Sequence, residues 1–267
     1  MAVIRKSRIV DSCQSLPPLP ESNIPRDNLL DTIERMFRSD INVVVIEGEE
    51  GIGKTTLMSQ FSNRHGNDSI SVFIRPTSRF AYEMSTIRHD LCSQLNAILK
   101  PVTNCDPYDS SDGYLMDMFA RLRSISRRAP VYLVLDGIEA IEDRSIQIAI
   151  LDAFPIGEPR MPLVLSGDQS LLRSSAARML NIKTLQVVNF SLDETERYFA
   201  DLGVGRADLE EIYNSCGRGV PAYLASVRRS IRAGAEPRSL ALRNLNDFFE
   251  VEWARKASSE ETSEMLS

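Results

Sequence analysis

The sequence contains few of the residues that mark metal-binding, disulfide-linked or membrane-spanning proteins. Its 267 residues include four cysteines and two histidines. The cysteines form no CxxC pair, and His65 and His89 have no ligand partner at metal-site spacing, so we predict reduced thiols in a cytoplasmic chain. No apolar run approaches the roughly 18 residues of a membrane span. No apolar stretch follows the early charges Arg5, Lys6 and Arg8, so no signal peptide is predicted.

The sequence also lacks an excess of positive charge. It has 31 lysines and arginines against 37 aspartates and glutamates, which gives a formal net charge of −6. A general nucleic-acid binder needs a concentrated basic surface, and an acidic chain does not favour one. One late segment is rich in arginine, at Arg228, Arg229, Arg232 and Arg238. On a helix such residues more often form a solvated face than a DNA footprint.

What the sequence does contain is an alternation of short β-branched runs and amphipathic helical patterns. The predicted strands are 41–46, 70–74, 131–135 and 163–165, with 185–188 as a further candidate. The predicted helices are 27–37, the segment after the glycine-rich turn, the stretch from Ile87 to Leu99, 114–126 and 143–152. This alternation predicts an α/β fold with right-handed crossovers and a mostly parallel sheet flanked by helices.

The pattern changes near residue 190, where it becomes wholly helical. Ser191 and Glu194 have the spacing of a capping box at the start of this region. A proline-rich stretch before residue 24 favours an extended path, and the last residues are rich in serine and glutamate. We therefore predict an extended leader at 1–23, an α/β domain at 24–190, a small helical lid subdomain at 191–256 and a flexible tail at 257–267.

The segment from Gly48 to Thr55 matches the full GxxxxGK[ST] pattern of a phosphate-binding loop. It lies between a β-branched strand and an amphipathic helix, which is the context that the motif requires. Its glycines, Gly48, Gly51 and Gly53, allow the backbone N–H groups to turn inward as an anion nest. Lys54 supplies a charge for the β- and γ-phosphates, the Thr55 hydroxyl is placed to bind Mg²⁺, and Thr56 is placed to reach the α-phosphate.

A second acidic site is expected at the end of the strand 131–135. Asp136 ends this buried run, as the metal-side carboxylate of a P-loop ATPase does. Many such enzymes place a water-activating glutamate directly after the aspartate, but Gly137 stands there in this chain. The next acid is Glu139, so we take Asp136 and Glu139 as the catalytic candidates and expect slow hydrolysis.

These residues resemble the STAND class of signalling NTPases, the NACHT and NB-ARC relatives within the AAA+ clan. The resemblance covers roughly residues 24–235 and rests on the loop and on four short segments. These are Pro25-Arg26-Asp27, Asp136-Gly137-Ile138-Glu139, Leu163-Val164-Leu165-Ser166 and Gly219-Val220-Pro221. The resemblance implies a P-loop NTPase core with a helical lid, ATP or ADP as the nucleotide, Arg26 near the adenine and Pro221 against the base or ribose.

The chain also departs from that class. The sensor strand often ends in Thr/Ser-x-Arg, whereas this one continues Ser166-Gly167-Asp168, and neither Arg173 nor Arg178 occupies the arginine position. Members usually continue into a winged helix, a repeat array and an effector domain, none of which is recognisable here. We therefore expect a fragment or a minimal relative.

Three functions are compatible with these residues. The leading hypothesis is a nucleotide-dependent switch that controls assembly into a homo-oligomer or with other protein domains, in defence or regulatory signalling. The alternative is a DNA-associated ATPase of the initiator, loader or transposition type. The arginine-rich segment and the general AAA+ plan favour it, and the acidic charge and Gly137 disfavour it. A small-molecule kinase is least favoured, because no acceptor site can be named.

Overall fold

The structure is a computed structural model that describes residues 8–75, 83–99, 111–125, 129–172, 180–215 and 217–237. It divides the chain into two compact units. The first comprises Met1–Pro20, Pro25–Gly48 and Lys54–Val187. The second comprises Glu21–Ile24, Glu49–Gly53 and Val188–Ser267. The predicted tail at 257–267 lies outside the described residues, as do Arg173, Arg178, Arg238 and the end of the predicted lid.

The first unit is built on a five-stranded parallel sheet. Its strands are β1 (Val43–Glu47), β2 (Ser69–Phe73), β3 (Tyr132–Asp136), β4 (Leu163–Ser166) and β5 (Ile182–Gln186). The strand order is β2-β3-β4-β1-β5, and each neighbouring pair is parallel. The parallel α/β architecture predicted from the sequence is confirmed. The last strand begins three residues before the predicted segment 185–188.

Helices cover the sheet and bury its β-branched strands. They are α1 (Asp27–Arg38), α2 (Lys54–Arg64), α3 (Met84–Leu99), α4 (Asp112–Ile125) and α5 (Arg144–Asp152). Alternate residues of the central strands pack with α3, α4 and α5 in one apolar cluster, while α1 and α2 also contact the sheet. Burial of β1 and β4 from both sides explains their continuous apolar sequence.

Part of the segment predicted as an extended leader is packed in the structure. Residues Ile9–Ser12 form a 3₁₀ turn, and Val10 is buried. The Val10 N–H donates to the Gly66 carbonyl at 3.0 Å, and the Phe73 N–H donates to the Ser15 hydroxyl at 3.0 Å. The difference has a physical reason, because β2 is an edge strand whose outer backbone groups need partners.

A buried carboxylate on α3 anchors this N-terminal segment. Asp90 accepts hydrogen bonds from the backbone N–H groups of Gln14 and Ser15, at 2.9 and 3.2 Å, and from the Ser15 hydroxyl at 2.6 Å. The Cys13 thiol beside it donates to the Ser71 carbonyl at 3.1 Å. Burial, reinforced by the Asp90 charge, raises the pKa of the Cys13 thiol to about 12.

The second unit is helical over its described residues after the sheet. It contains α6 (Leu192–Phe199), α7 (Arg206–Ser215) and α8 (Pro221–Arg232). The predicted capping box at Ser191 and Glu194 is present, with both reciprocal hydrogen bonds formed. A separate apolar core holds the three helices together, and its buried members are Phe199, Leu209, Ile212, Tyr223, Leu224 and Val227.

The arginine-rich segment takes part in the packing of this unit. Arg228 is 4% exposed, and its guanidinium donates to both carboxylate oxygens of Asp201 at 2.6 Å and to the Tyr198 carbonyl. Arg232 also bonds Asp201, at 3.3 Å, and Glu21, at 3.4 Å. Arg228 is therefore a structural ion-pair partner, whereas Arg229 and Arg232 are exposed on the same helix. Within the described parts of the chain, no helix has the length and apolar character needed to cross a membrane.

Candidate nucleotide-binding site

The phosphate loop connects β1 to α2 with the geometry that its glycines allow. Residues 49–52 form a turn in which the Ile52 N–H donates to the Glu49 carbonyl at 3.4 Å. Gly51 has a φ of +78°, a left-handed conformation that a side chain disfavours. The Lys54 ammonium group donates to the Gly48 carbonyl at 2.8 Å, so this side chain folds back along the loop. The Lys54 cation thus lies at the start of α2, where a helix N-terminus favours an anion.

The metal-side residues of the sequence prediction lie together in the first unit. Asp136 ends β3 and is 3% exposed. Its carboxylate accepts a hydrogen bond from the Thr55 hydroxyl and lies beside the Ser166 hydroxyl. Burial raises the pKa of this carboxyl, and Glu139 adds to the rise, while these two hydroxyls and the Lys54 charge oppose it.

The donor set fits Mg²⁺. The hydroxyl of Thr55 and the carboxylate of Asp136 are hard oxygen ligands in hydrogen-bond contact with each other. Mg²⁺ is usually held by one or two carboxylates together with phosphate oxygens rather than by a cage of protein ligands. No cluster of three or more His, Cys, Asp or Glu side chains that could hold a metal is found among the described residues.

The position after Asp136 cannot accommodate a side chain. Gly137 has a φ of +82°, and a β-carbon added to it would lie well inside van der Waals contact of the Ile74 carbonyl oxygen. That oxygen belongs to the backbone just after β2, where the Ile74 N–H donates to the Asp136 carbonyl at 2.9 Å. A glutamate directly after the metal-side aspartate is therefore excluded by this backbone.

Glu139 is instead brought to the strand ends by a short 3₁₀ turn, Ile138–Ala140. The Ser166 hydroxyl donates to Glu139 Oε2 at 3.0 Å, and the Gly137 N–H donates to the Ser166 hydroxyl at 2.9 Å. Because Ser166 also contacts Asp136, one serine lies between the two carboxylates named from the sequence. Ser166 was recognised as the end of a sensor strand but not as a site residue. The signal that identifies it is a hydroxyl at the end of a buried strand.

The remaining predicted residues lie in two other places. Arg26 is buried just before α1, and its backbone N–H donates to Gln60 Oε1 on α2 at 3.2 Å. Pro221 is the first residue of α8. Thr56 is half-buried in the first turn of α2. A contact of Arg26 with adenine, of Pro221 with the base or ribose, and of Thr56 with the α-phosphate remain predictions.

Comparison with known proteins defines the family. A model of the AAA domain matches residues 38–174, just over half of the chain, including the phosphate loop, Asp136 and Ser166. No curated protein matches the sequence.

Two solved structures are similar in fold. A Walker-type ATPase of Pyrococcus abyssi has a TM-score of 0.61 at 16% identity, over 94% of this chain and 78% of that one. A STAND protein with a tetratricopeptide repeat sensor from Pyrococcus horikoshii has a TM-score of 0.50 at 13% identity. That similarity covers 88% of this chain but 35% of the STAND protein, so this chain matches about a third of its length. The matched domain and the fold together show that the chain belongs to the AAA domain family of P-loop ATPases.

Proposed function

We propose that this AAA-type ATPase is a nucleotide-dependent molecular switch that binds ATP or ADP with Mg²⁺ and hydrolyses ATP slowly. The observation that carries the proposal is the backbone at Gly137. A carboxylate directly after Asp136 is excluded there, and the nearest substitute, Glu139, is held by the Ser166 hydroxyl. Slow hydrolysis prolongs the bound state, which is what a switch requires of its nucleotide.

The roles of the chain's own residues follow from their positions. Lys54 and the loop N–H groups would hold the phosphates, while Thr55 and Asp136 would hold Mg²⁺. When bound, Mg²⁺ neutralises charge on the β- and γ-phosphates. Glu139 is the residue that would orient the attacking water, and its hydrogen bond from Ser166 fixes the carboxylate near the strand ends.

Assembly is the output that we propose for the switch. Support comes from the chain's resemblance to STAND proteins and from its fold similarity to one of them. Nucleotide exchange or hydrolysis would shift the population between an assembly-competent state and a resting state. Defence or regulatory signalling in the cytoplasm is the proposed setting, and Lys54→Ala is expected to abolish assembly together with binding.

Turnover and retention measured on the same preparations test this function. Glu139→Gln should lower the ATP turnover number by roughly 100-fold, the range of general acid–base catalysis, while leaving ATP affinity unchanged. Glu142 is an exposed carboxylate three residues further on, so Glu142→Gln is the matched control and should leave turnover unchanged. Asp136→Asn should weaken the Mg²⁺ dependence of ATP binding.

The same assay addresses the alternative function on DNA. Turnover that is fast, stimulated by DNA and abolished by Asp136→Asn would contradict the switch and favour a DNA-associated ATPase. Two features of the sequence favour that alternative, the general AAA+ plan and the arginine-rich segment. Arg228 and Arg232 are engaged with Asp201, which leaves the argument from that segment weaker.

A further inference from the structure

A backbone hydrogen bond joins the phosphate loop to the first turn of α8. Glu49–Gly53 and α8 belong to the same compact unit. The Ala222 N–H donates to the Gly51 carbonyl at 3.1 Å. The approach is close enough that a β-carbon added at Gly51 would lie 2.9 Å from the Ala222 Cβ, a separation that real β-carbons essentially never show.

The bond satisfies a need of the helix. The first N–H groups of a helix have no partner within it, and a polar N-cap side chain usually accepts one of them. Val220 is the N-cap of α8 and provides no side-chain hydrogen bond. Pro221 has no N–H, so Ala222 carries the first donor of the helix. The Gly51 carbonyl therefore takes the place of the missing cap.

Contacts outside the loop fix the start of α8. Tyr223 and Leu224 are buried in the apolar core of the second unit. Just before the helix, the Phe190 N–H donates to the Gly219 carbonyl at 2.9 Å, and Gly219 packs so tightly on Phe190 that no β-carbon fits. Because these contacts hold α8, the Gly51–Ala222 contact acts mainly on the loop.

We propose that Ala222 is a positioning residue for the phosphate loop, so that nucleotide affinity depends on the room between residues 51 and 222. The contact with α8 excludes loop conformers that cannot bind nucleotide. When such conformers become populated, the fraction of the protein competent to bind nucleotide falls, and the apparent affinity falls with that fraction. Coupling of binding equilibria is reciprocal, so bound nucleotide in turn biases the start of α8. This deepens the switch proposed above and rests on nucleotide binding at the loop.

A rescue experiment tests the contact. The dissociation constant of a fluorescent ADP analogue is measured for Gly51→Ala, Ala222→Gly and the double variant. Gly51→Ala should weaken binding roughly 100-fold, through both left-handed strain and the clash. The double variant removes the clash but keeps the strain at residue 51. Its dissociation constant should therefore be only about tenfold above that of the wild type.

Two controls separate the contact from general effects. Gly53 is also left-handed, at φ +94°, but an added β-carbon meets nothing within 4 Å. Adding Ala222→Gly to Gly53→Ala should therefore leave the dissociation constant of Gly53→Ala unchanged. Ala225→Gly places a glycine within α8 away from its first turn and should change the dissociation constant by less than about threefold, since it leaves the space between residues 51 and 222 unchanged.

A second variant keeps the test decisive if Gly51→Ala does not fold. Ala222→Leu adds bulk toward the loop without left-handed strain and should weaken binding about tenfold, whereas Ala225→Leu should not. No rescue in the double variant, equal rescue of Gly53→Ala, or an unchanged constant in Ala222→Leu would each overturn the inference. Lys54→Ala distinguishes failure of this inference from failure of the proposed function. If nucleotide still binds to Lys54→Ala, the phosphate loop is not the binding site.

Discussion

Replacement of Gly137 by alanine tests why this chain has no carboxylate directly after Asp136. The glycine is left-handed at φ +82°, and its α-carbon faces the Ile74 carbonyl with no space for a methyl group. The obstacle is backbone, not the flexible end of a side chain. The obstructing peptide also belongs to the β2–β3 region, where the Ile74 N–H bonds the Asp136 carbonyl at 2.9 Å.

The expected loss of stability has two parts. A left-handed alanine costs about 1–2 kcal/mol relative to glycine. Displacing a packed backbone to admit the methyl group costs about 1–3 kcal/mol more, in the range measured for overpacked cores. Gly137→Ala should therefore lower the free energy of unfolding of the first unit by about 2–5 kcal/mol. Gly137→Glu should be at least as unstable and should not produce a fast ATPase.

Urea unfolding followed by far-UV circular dichroism measures this loss. Gly203 is left-handed at φ +64° with open space around it, so Gly203→Ala in the second unit isolates the strain of about 1–2 kcal/mol. Gly113 lies in α4 with open space, and Gly113→Ala should leave the first unit unchanged or slightly more stable. A loss no larger for Gly137→Ala than for Gly203→Ala would refute the steric reasoning.

The remaining predictions concern other buried or paired groups. Asp90→Ala should release the N-terminal segment and raise the alkylation rate of Cys13 by roughly tenfold or more, as followed by peptide mass spectrometry, with Cys92 unchanged as the internal control. Burial lowers the pKa of His65 below its usual 6.5. Its contribution to the free energy of unfolding should therefore be fully present above pH 6.5 and be lost as the pH drops below that value. In thermal melts, His65→Phe should remove this pH dependence. The Arg228 guanidinium lowers the pKa of Asp201. The contribution of Asp201 to the stability of the second unit is therefore present above about pH 3.8 and lost below it. Asp201→Asn should remove this loss of stability at acid pH.

The sequence predicts the features that depend on neighbouring residues. The phosphate loop matched a complete motif, and its flanking strand and helix lie where the β-branched and amphipathic patterns place them. The capping box at Ser191 is equally local. By contrast the apolar pattern places β5 too late, because Lys183 is exposed on this edge strand and interrupts the apolar run.

Features made by distant residues were not predictable in the same way. The N-terminal segment is packed because its hydrogen bonds go to Asp90, far along the chain, and nothing in its proline-rich composition indicates that partner. Ser166 meets Glu139 only because β4 lies beside β3, a neighbour relation that sequence order does not specify. Arg228 was expected on a solvated face, and its burial follows from Asp201, which is also remote in sequence.

The nucleotide that the purified protein carries tests the central claim most directly. Protein expressed in cells is acid-denatured, and the released nucleotide is identified and quantified by ion-exchange chromatography, with Lys54→Ala processed in parallel. We expect an adenine nucleotide, mainly ADP, at close to one per wild-type chain and essentially none in Lys54→Ala. A guanine nucleotide, equal content in both proteins, or no retention by the wild type even after incubation with ATP and Mg²⁺ would contradict it.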